Sequence, residues 1–168
     1  MREIRGQFKT LFRTQNGNKF FGELGLPSQS ASTIDFRPRR SLTVSKKAMV
    51  DTGDVVFSDT GTYLLALQAT YSETLQFKCF EITHRISWSR KVDQVDPVTR
   101  MARDNSLQIL DPSLPLVIEY GSVIQNMSIE TDRYQILTGA DVKVGDRLGA
   151  WIVQNRQDAL GLNLLEVA

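Results

Sequence analysis

The sequence predicts an all-β protein: a small antiparallel β-barrel or sandwich with an N-terminal hairpin and arm and one long loop insertion. Short apolar or alternating segments recur between turn residues. No helix of ordinary length stands out, and glycine-containing turns separate the segments. At 168 residues, 41% apolar and 23% charged, the chain has the size and composition of an ordinary globular domain.

Residues 1–40 read as a hairpin followed by a basic arm. Phe8, Leu11 and Phe12 precede Gln15-Asn16-Gly17-Asn18, and Phe20-Phe21 follow. Asn-Gly supplies the positive φ that a type I′ turn needs. A helix competes for the first part, because Ile4, Phe8, Leu11 and Phe12 also sit at helical spacing. Residues 25–40 carry Gly25, Pro27, Pro38 and several serines, too polar to fold on themselves, and are expected to lie on a neighbouring chain.

Residues 41–168 read as the barrel. Ser41–Val44, Asp54–Phe57, Thr62–Leu67 and Leu75–Cys79 are strand signals. At Cys79-Phe80 the apolar set changes face, as a β-bulge would make it. A long half-buried strand then runs to Ser89, with His84 on its apolar side. Residues 92–116 look like an insertion. Asp96-Pro97 starts a short helical turn with Val98, Met101 and Ala102, and Asp111-Pro112-Ser113-Leu114-Pro115 breaks regular structure. Strands resume at Leu116–Tyr120, Tyr134–Leu137, Ala150–Val153 and Leu162–Val167.

Two stretches echo each other. Gly53-Asp54, then Gly61-Thr62-Tyr63, then Phe80-Glu81-Ile82 parallels Gly145-Asp146, then Gly149-Ala150-Trp151, then Leu165-Glu166-Val167. Each reads as a three-stranded meander. Gly53, Asp54, Asp59, Gly61, Gly145, Asp146 and Gly149 make its turns, and Tyr63 and Trp151 fill its core.

Composition narrows the chemistry. One cysteine, Cys79, excludes an internal disulfide, and one histidine, His84, leaves little for a metal site or triad. No phosphate-binding glycine loop and no nucleophile elbow occur, so no catalytic residue, metal or cofactor is expected. No apolar run nears the roughly 20 residues of a membrane span, and Met1–Arg5 leads into no secretory core. Asp-Thr-Gly appears at Asp51 and Asp59, as in the catalytic loop of aspartic proteases. Two copies eight residues apart cannot supply facing loops, although a homodimer sharing one copy could.

Charge is uneven. Residues 1–50 hold ten Lys/Arg against three acids (+7), and residues 51–168 hold ten against sixteen (−6). Phe36, Arg37, Arg39, Arg40, Lys46 and Lys47 form a basic, aromatic cluster suited to a partner surface or to single-stranded nucleic acid.

The segment Asp141-Val142-Lys143-Val144-Gly145-Asp146, with Trp151 following, resembles the Asp-Val-Lys-x-Gly-Asp phrase of tailed-bacteriophage neck proteins, the head-closure or head-to-tail connector family. Gly53-Asp54-Val55-Val56 resembles a second copy. The resemblance implies a turn that closes a β-barrel. It further implies a non-enzymatic virion protein that forms homo-oligomeric rings between portal and tail proteins, with DNA passing through the lumen. Such a protein assembles in the host cytoplasm and ends in the virion neck. The alternatives are a single-strand-binding barrel and a dimeric aspartic protease.

Overall fold

The computed structural model describes residues 9–26, 40–95, 98–99, 102–121 and 133–168. They form twelve strands in two closed antiparallel barrels. The first barrel comprises β1 (Lys9–Thr14), β2 (Lys19–Leu24), β3 (Arg40–Ser45), β4 (Val55–Ser58), β5 (Gly61–Thr70) and β6 (Thr74–Glu81). The second comprises β7 (His84–Val95), β8 (Ala102–Gly121), β9 (Arg133–Thr138), β10 (Arg147–Leu148), β11 (Trp151–Ala159) and β12 (Leu162–Val167).

The strand order is the same in both. The first barrel runs β1-β2-β3-β6-β5-β4, and β4 closes onto β1 through Arg13↔Phe57 and Thr14↔Val56. The second runs β7-β8-β9-β12-β11-β10, and β10 closes onto β7 through Ser89↔Arg147 and Trp88↔Leu148. Closure leaves no sheet edge in either wall.

The division at residue 40 is therefore corrected. The hairpin of residues 9–24 forms, but β1 and β2 are wall strands of the first barrel, and residues 41–168 hold parts of two barrels. The turn also differs from type I′. Gly17 takes φ 85°, Asn16 does not take positive φ, and the Gly17 N–H donates to the Thr14 carbonyl (3.0 Å). One glycine in the left-handed region suffices when the loop ends in a bulge.

Three apolar clusters explain the sequence pattern. Phe12, Phe20, Leu42, Val44, Val56, Tyr63, Leu65, Phe77 and Cys79 fill the first barrel, with Phe12 stacked on Phe20 at 5.5 Å. Leu116, Ile136, Leu148, Val153, Leu165 and Val167 fill the second. Val55, Leu64, Ala66 and Phe80 leave the first barrel and pack on Val117, Leu137 and Leu162 of the second. Tyr63-Leu64-Leu65-Ala66 is thus buried on both faces of one strand, alternately inside its barrel and against the other. The same holds at Cys79-Phe80. The pairing Leu65↔Cys79, Leu64↔Phe80 runs without a shift, so no bulge lies there; the bulge falls between Leu67 and Ala69.

The long strand predicted through Ser89 breaks at Ile82-Thr83, which links the barrels. Thr83 ties this link to β8: its Oγ1 accepts from the Ile118 N–H at 2.9 Å. His84 is exposed rather than on an apolar face.

The insertion over 92–116 is corrected as well. Val95 and Ala102 pair across a hairpin, so Ala102 is in a strand rather than a helical turn. Asp96, Pro97 and Met101 lie outside the described residues. Asp111–Pro115 is part of β8. Pro112 and Ser113 face the single residue Ser87 between the pairs Ile86↔Leu114 and Trp88↔Asp111. This bulge removes the need for a ladder donor at Pro112, and the Ser113 N–H donates to Asp111 Oδ1 instead (2.8 Å).

Candidate functional site

The two Gly-Asp turns are built bond for bond alike. Gly53 and Gly145 take φ 92° and 89°, a region that only glycine enters freely. The Gly53 N–H donates to the Leu65 carbonyl and the Leu65 N–H to the Asp54 carbonyl, at 2.8 and 3.0 Å. Gly145, Val153 and Asp146 repeat this at 2.9 and 3.0 Å. Asp54 Oδ2 accepts from the Asp51 N–H at 2.9 Å, and Asp146 Oδ2 from the Lys143 N–H at 2.9 Å. Each aspartate folds its own turn by standing in for a backbone acceptor. Each turn delivers the chain into the strand that closes its barrel.

The bonds fix the equivalence of the two units. Leu65 matches Val153, so Tyr63 matches Trp151 two residues earlier in the same strands. The closing strands match differently from the echo in the sequence. Leu65 pairs with Cys79 and Val153 with Val167, so Val167 stands opposite Cys79's position and Ala168 at that of Phe80. The shared apolar-acid-apolar pattern of Phe80-Glu81-Ile82 and Leu165-Glu166-Val167 is not a structural correspondence.

The turns differ in what surrounds them. Asp54 is partly exposed, whereas Asp146 is 2% exposed. Asp146 accepts from Trp88 Nε1 (2.8 Å), Arg90 Nε (2.8 Å) and Arg90 Nη2 (2.8 Å) besides Lys143. Arg90 Nη2 also reaches the Asp141 carbonyl at 3.1 Å. Arg156 donates from Nη1 to Asp141 Oδ1 (2.7 Å) and to the Val142 carbonyl (2.9 Å). Burial pushes the Asp146 carboxyl up, but Arg90, the Lys143 N–H and Trp88 outweigh it and hold it below the usual carboxylate range. The same bond raises Arg90. Arg156 lowers Asp141 in the same way. The sequence reading identified Asp146 but not Arg90 or Arg156. They are separated from it by 56 and 10 residues, and a cation in an alternating strand resembles any solvated one.

The remaining predicted residues fall into place as follows. Gly61, at φ 149°, and exposed Asp59 belong to the β4–β5 turn, where Ser58 and Thr60 hydroxyls share a bond at 2.9 Å. Gly149, at φ 60°, donates to the Ser87 carbonyl at 2.9 Å. Tyr63 is buried, its hydroxyl donating to the Thr60 carbonyl at 3.2 Å. Trp151 is half-buried and tilted on Tyr134 at 5.0 Å. Arg40 stands opposite Cys79 on β3, and exposed Lys46 and Lys47 lie on a 3₁₀ turn (Lys46–Ala48). Phe36, Arg37 and Arg39, with most of the predicted arm, lie outside the described residues.

Asp51 and Asp59 sit before and after β4, whose four residues span roughly 13 Å. They do not face one another, as a shared-proton pair within one chain requires. Cys79 is enclosed in the first barrel, and burial pushes its thiol up to about 12. A cleft of about 290 Å³ opens where the barrels meet, lined by Gly53, Val55, Trp88, Leu110, Thr138 and Gly139.

Beyond the barrels, β7 and β8 continue as a two-stranded ribbon. Past Ser89 the described pairs run from Arg90↔Gln108 to Val95↔Ala102, and no third strand joins them among the described residues. Leu107 on this ribbon and Ile109 at its base, opposite Ser89, lie on one side and are exposed, Ile109 by 65%. A second exposed apolar pair, Leu11 and Phe21, lies cross-strand on the outer wall of the first barrel. Comparison of the chain with protein families, with curated proteins and with solved structures finds no match.

Proposed function

We propose that this chain is a non-enzymatic structural protein of a tailed bacteriophage, a subunit of a homo-oligomeric ring in the neck that connects the portal to the tail. The observation that carries the reading is the β7–β8 ribbon, which extends past a complete barrel and exposes apolar side chains. Apolar surface projected this way is suited to a protein partner. The segment resembling neck proteins supports it too. Val142–Asp146 is the turn before β10, the strand that closes the second barrel, which is the role the resemblance implies. In this reading, portal or connector and tail proteins flank the ring, DNA passes its lumen, and the protein moves from host cytoplasm to virion.

Native mass measurement and electron microscopy of the purified chain, alone and mixed with neck proteins, test the proposal. Closed rings, or capture into a portal–tail assembly, are expected. A monomer at all concentrations that joins neither partner would overturn it. Binding of single-stranded oligonucleotides by such a monomer would favour the nucleic-acid reading instead.

A further inference from the structure

The two barrels provide an internal control for what closure requires. Val56 pairs with Thr14 and Tyr63, and Leu148 with Trp88 and Trp151, so Thr14 corresponds to Trp88 and Val56 to Leu148. One residue along, Arg13 and Phe57 of the first barrel correspond to Ser87 and Gly149 of the second. There the Gly149 N–H donates to the Ser87 carbonyl at 2.9 Å, with no large side chain at either place. Closing a barrel of this order therefore requires neither the cation nor the ring.

In the first barrel those positions open a basic row. Lys19 on β2, Arg13 on β1 and Phe57 on β4 are successive cross-strand neighbours, so their side chains leave the same outer face. The three strands span roughly 10 Å. The Arg85 guanidinium, from β7 of the second barrel, lies 5.8 Å from the centre of the Phe57 ring and extends the row. A groove of about 270 Å³ runs along it, with Leu11, Ser58 and Asp59 also in its walls. Two residues along the strands comes the pair Leu11↔Phe21, and Phe21 is 61% exposed. Lys9, Arg13, Lys19 and Arg85 are exposed, and none makes an ion pair among the described residues. The acids on this face are Glu23, opposite Lys9, and Asp59 at the β4–β5 turn, so cations outnumber acids two to one. Arg13 and Lys19 stand directly opposite each other, which costs stability unless an anion bridges them.

We infer that this wall of the first barrel binds single-stranded nucleic acid, with phosphates along Arg85, Arg13 and Lys19 and a base stacked on Phe21. Charge complementarity selects a polyanion. The bare ring beside the cations selects one with flat, unpaired bases, since a base paired inside a duplex has no free face to offer. An acidic peptide would meet the cations and gain little from the ring. The inference goes beyond the assembly reading and does not depend on it, because the wall is complete within one chain.

Fluorescence anisotropy of a labelled oligothymidylate with the full chain tests it. Binding that weakens as salt rises is expected. Arg13→Gln with Lys19→Gln should lower affinity about tenfold or more, and should flatten the slope of log affinity against log salt by about 1.4. Phe21→Ala should lower affinity about fivefold or more with the salt slope unchanged, and Phe21→Trp should retain wild-type affinity. All three positions are exposed, so thermal melts should stay at the wild-type value. No binding at low salt, or binding untouched by these substitutions, would overturn the inference. Equal affinity for duplex DNA or for a polyglutamate peptide would overturn it as well. Rings that form without binding the oligonucleotide would sink this site and leave the assembly reading standing. A monomer that binds it through Arg13, Lys19 and Phe21 would do the reverse.

Discussion

Asp146 and Arg90 form a two-pronged ion pair, Nε to Oδ1 and Nη2 to Oδ2, each at 2.8 Å, between residues 56 apart in the chain. The carboxylate is almost wholly buried and the guanidinium about one-third exposed. The pair joins the turn before β10 to β7, the strand on which β10 closes. In the first barrel Asp54 makes the same turn with no such cation among the described residues.

Asp146→Asn should therefore cost more than Asp54→Asn. Losing the charge leaves Arg90 without its main partner in a half-dry position. About 2–3 kcal/mol is expected, below the range for fully buried pairs because Arg90 keeps some water. Asp54→Asn keeps the turn-forming oxygen and should cost under about 1 kcal/mol. Urea denaturation of the two variants measures the difference.

Acid should destabilise the protein partly through Asp146. Its carboxyl lies below the ordinary value of 3.8 in the folded chain. Stability from a depressed carboxyl is present above the unfolded value and is lost as pH falls through the folded one. Wild type should thus lose stability as pH drops below about 4, and Asp146→Asn should show a shallower loss over that window. Melting curves between pH 2 and 7, as an order-of-magnitude window around these values, provide the check.

Tyr63→Ala should destabilise by roughly 3–5 kcal/mol, since the ring is 3% exposed within the first core. Trp151→Ala should cost less, because its equivalent ring is half-buried and leans on Tyr134. Equal losses in thermal melts would contradict the difference in burial.

Gly139→Ala should strain the contact between barrels. A Cβ there runs into the carbonyl oxygen of Gly53 and, at 2.6 Å, its Cα. Backbone cannot step aside as a side-chain end can, so about 1–3 kcal/mol is expected. A Cβ at Gly17 meets nothing within 4 Å, and only its φ of 85° opposes Gly17→Ala. That variant should cost about 1 kcal/mol, and chemical denaturation distinguishes the two.

Cys79 should resist thiol reagents at neutral pH and react only at the rate at which the first barrel opens. Its thiol is buried and held at about 12, so almost no thiolate is present. Labelling kinetics with and without denaturant measure this.

The local pattern determined much of this protein. Alternation and turn chemistry placed most strands, the hairpin of residues 9–24, and the two Gly-Asp turns, because each depends on neighbours within a few residues. The equivalence of Tyr63 and Trp151 was legible for the same reason. Tertiary structure alone decided that there are two barrels. Leu64, Ala66 and Phe80 look like ordinary strand residues, and only the second barrel's Val117, Leu137 and Leu162 make their outward faces a core. It also decided the fate of Asp111–Pro115. Local rules forbid regular structure there, but pairing with β7 across a bulge carries the strand through both prolines. Arg90 and Arg156 found their roles only on folding. An ion pair depends on distance in space, and sequence separation carries no trace of it.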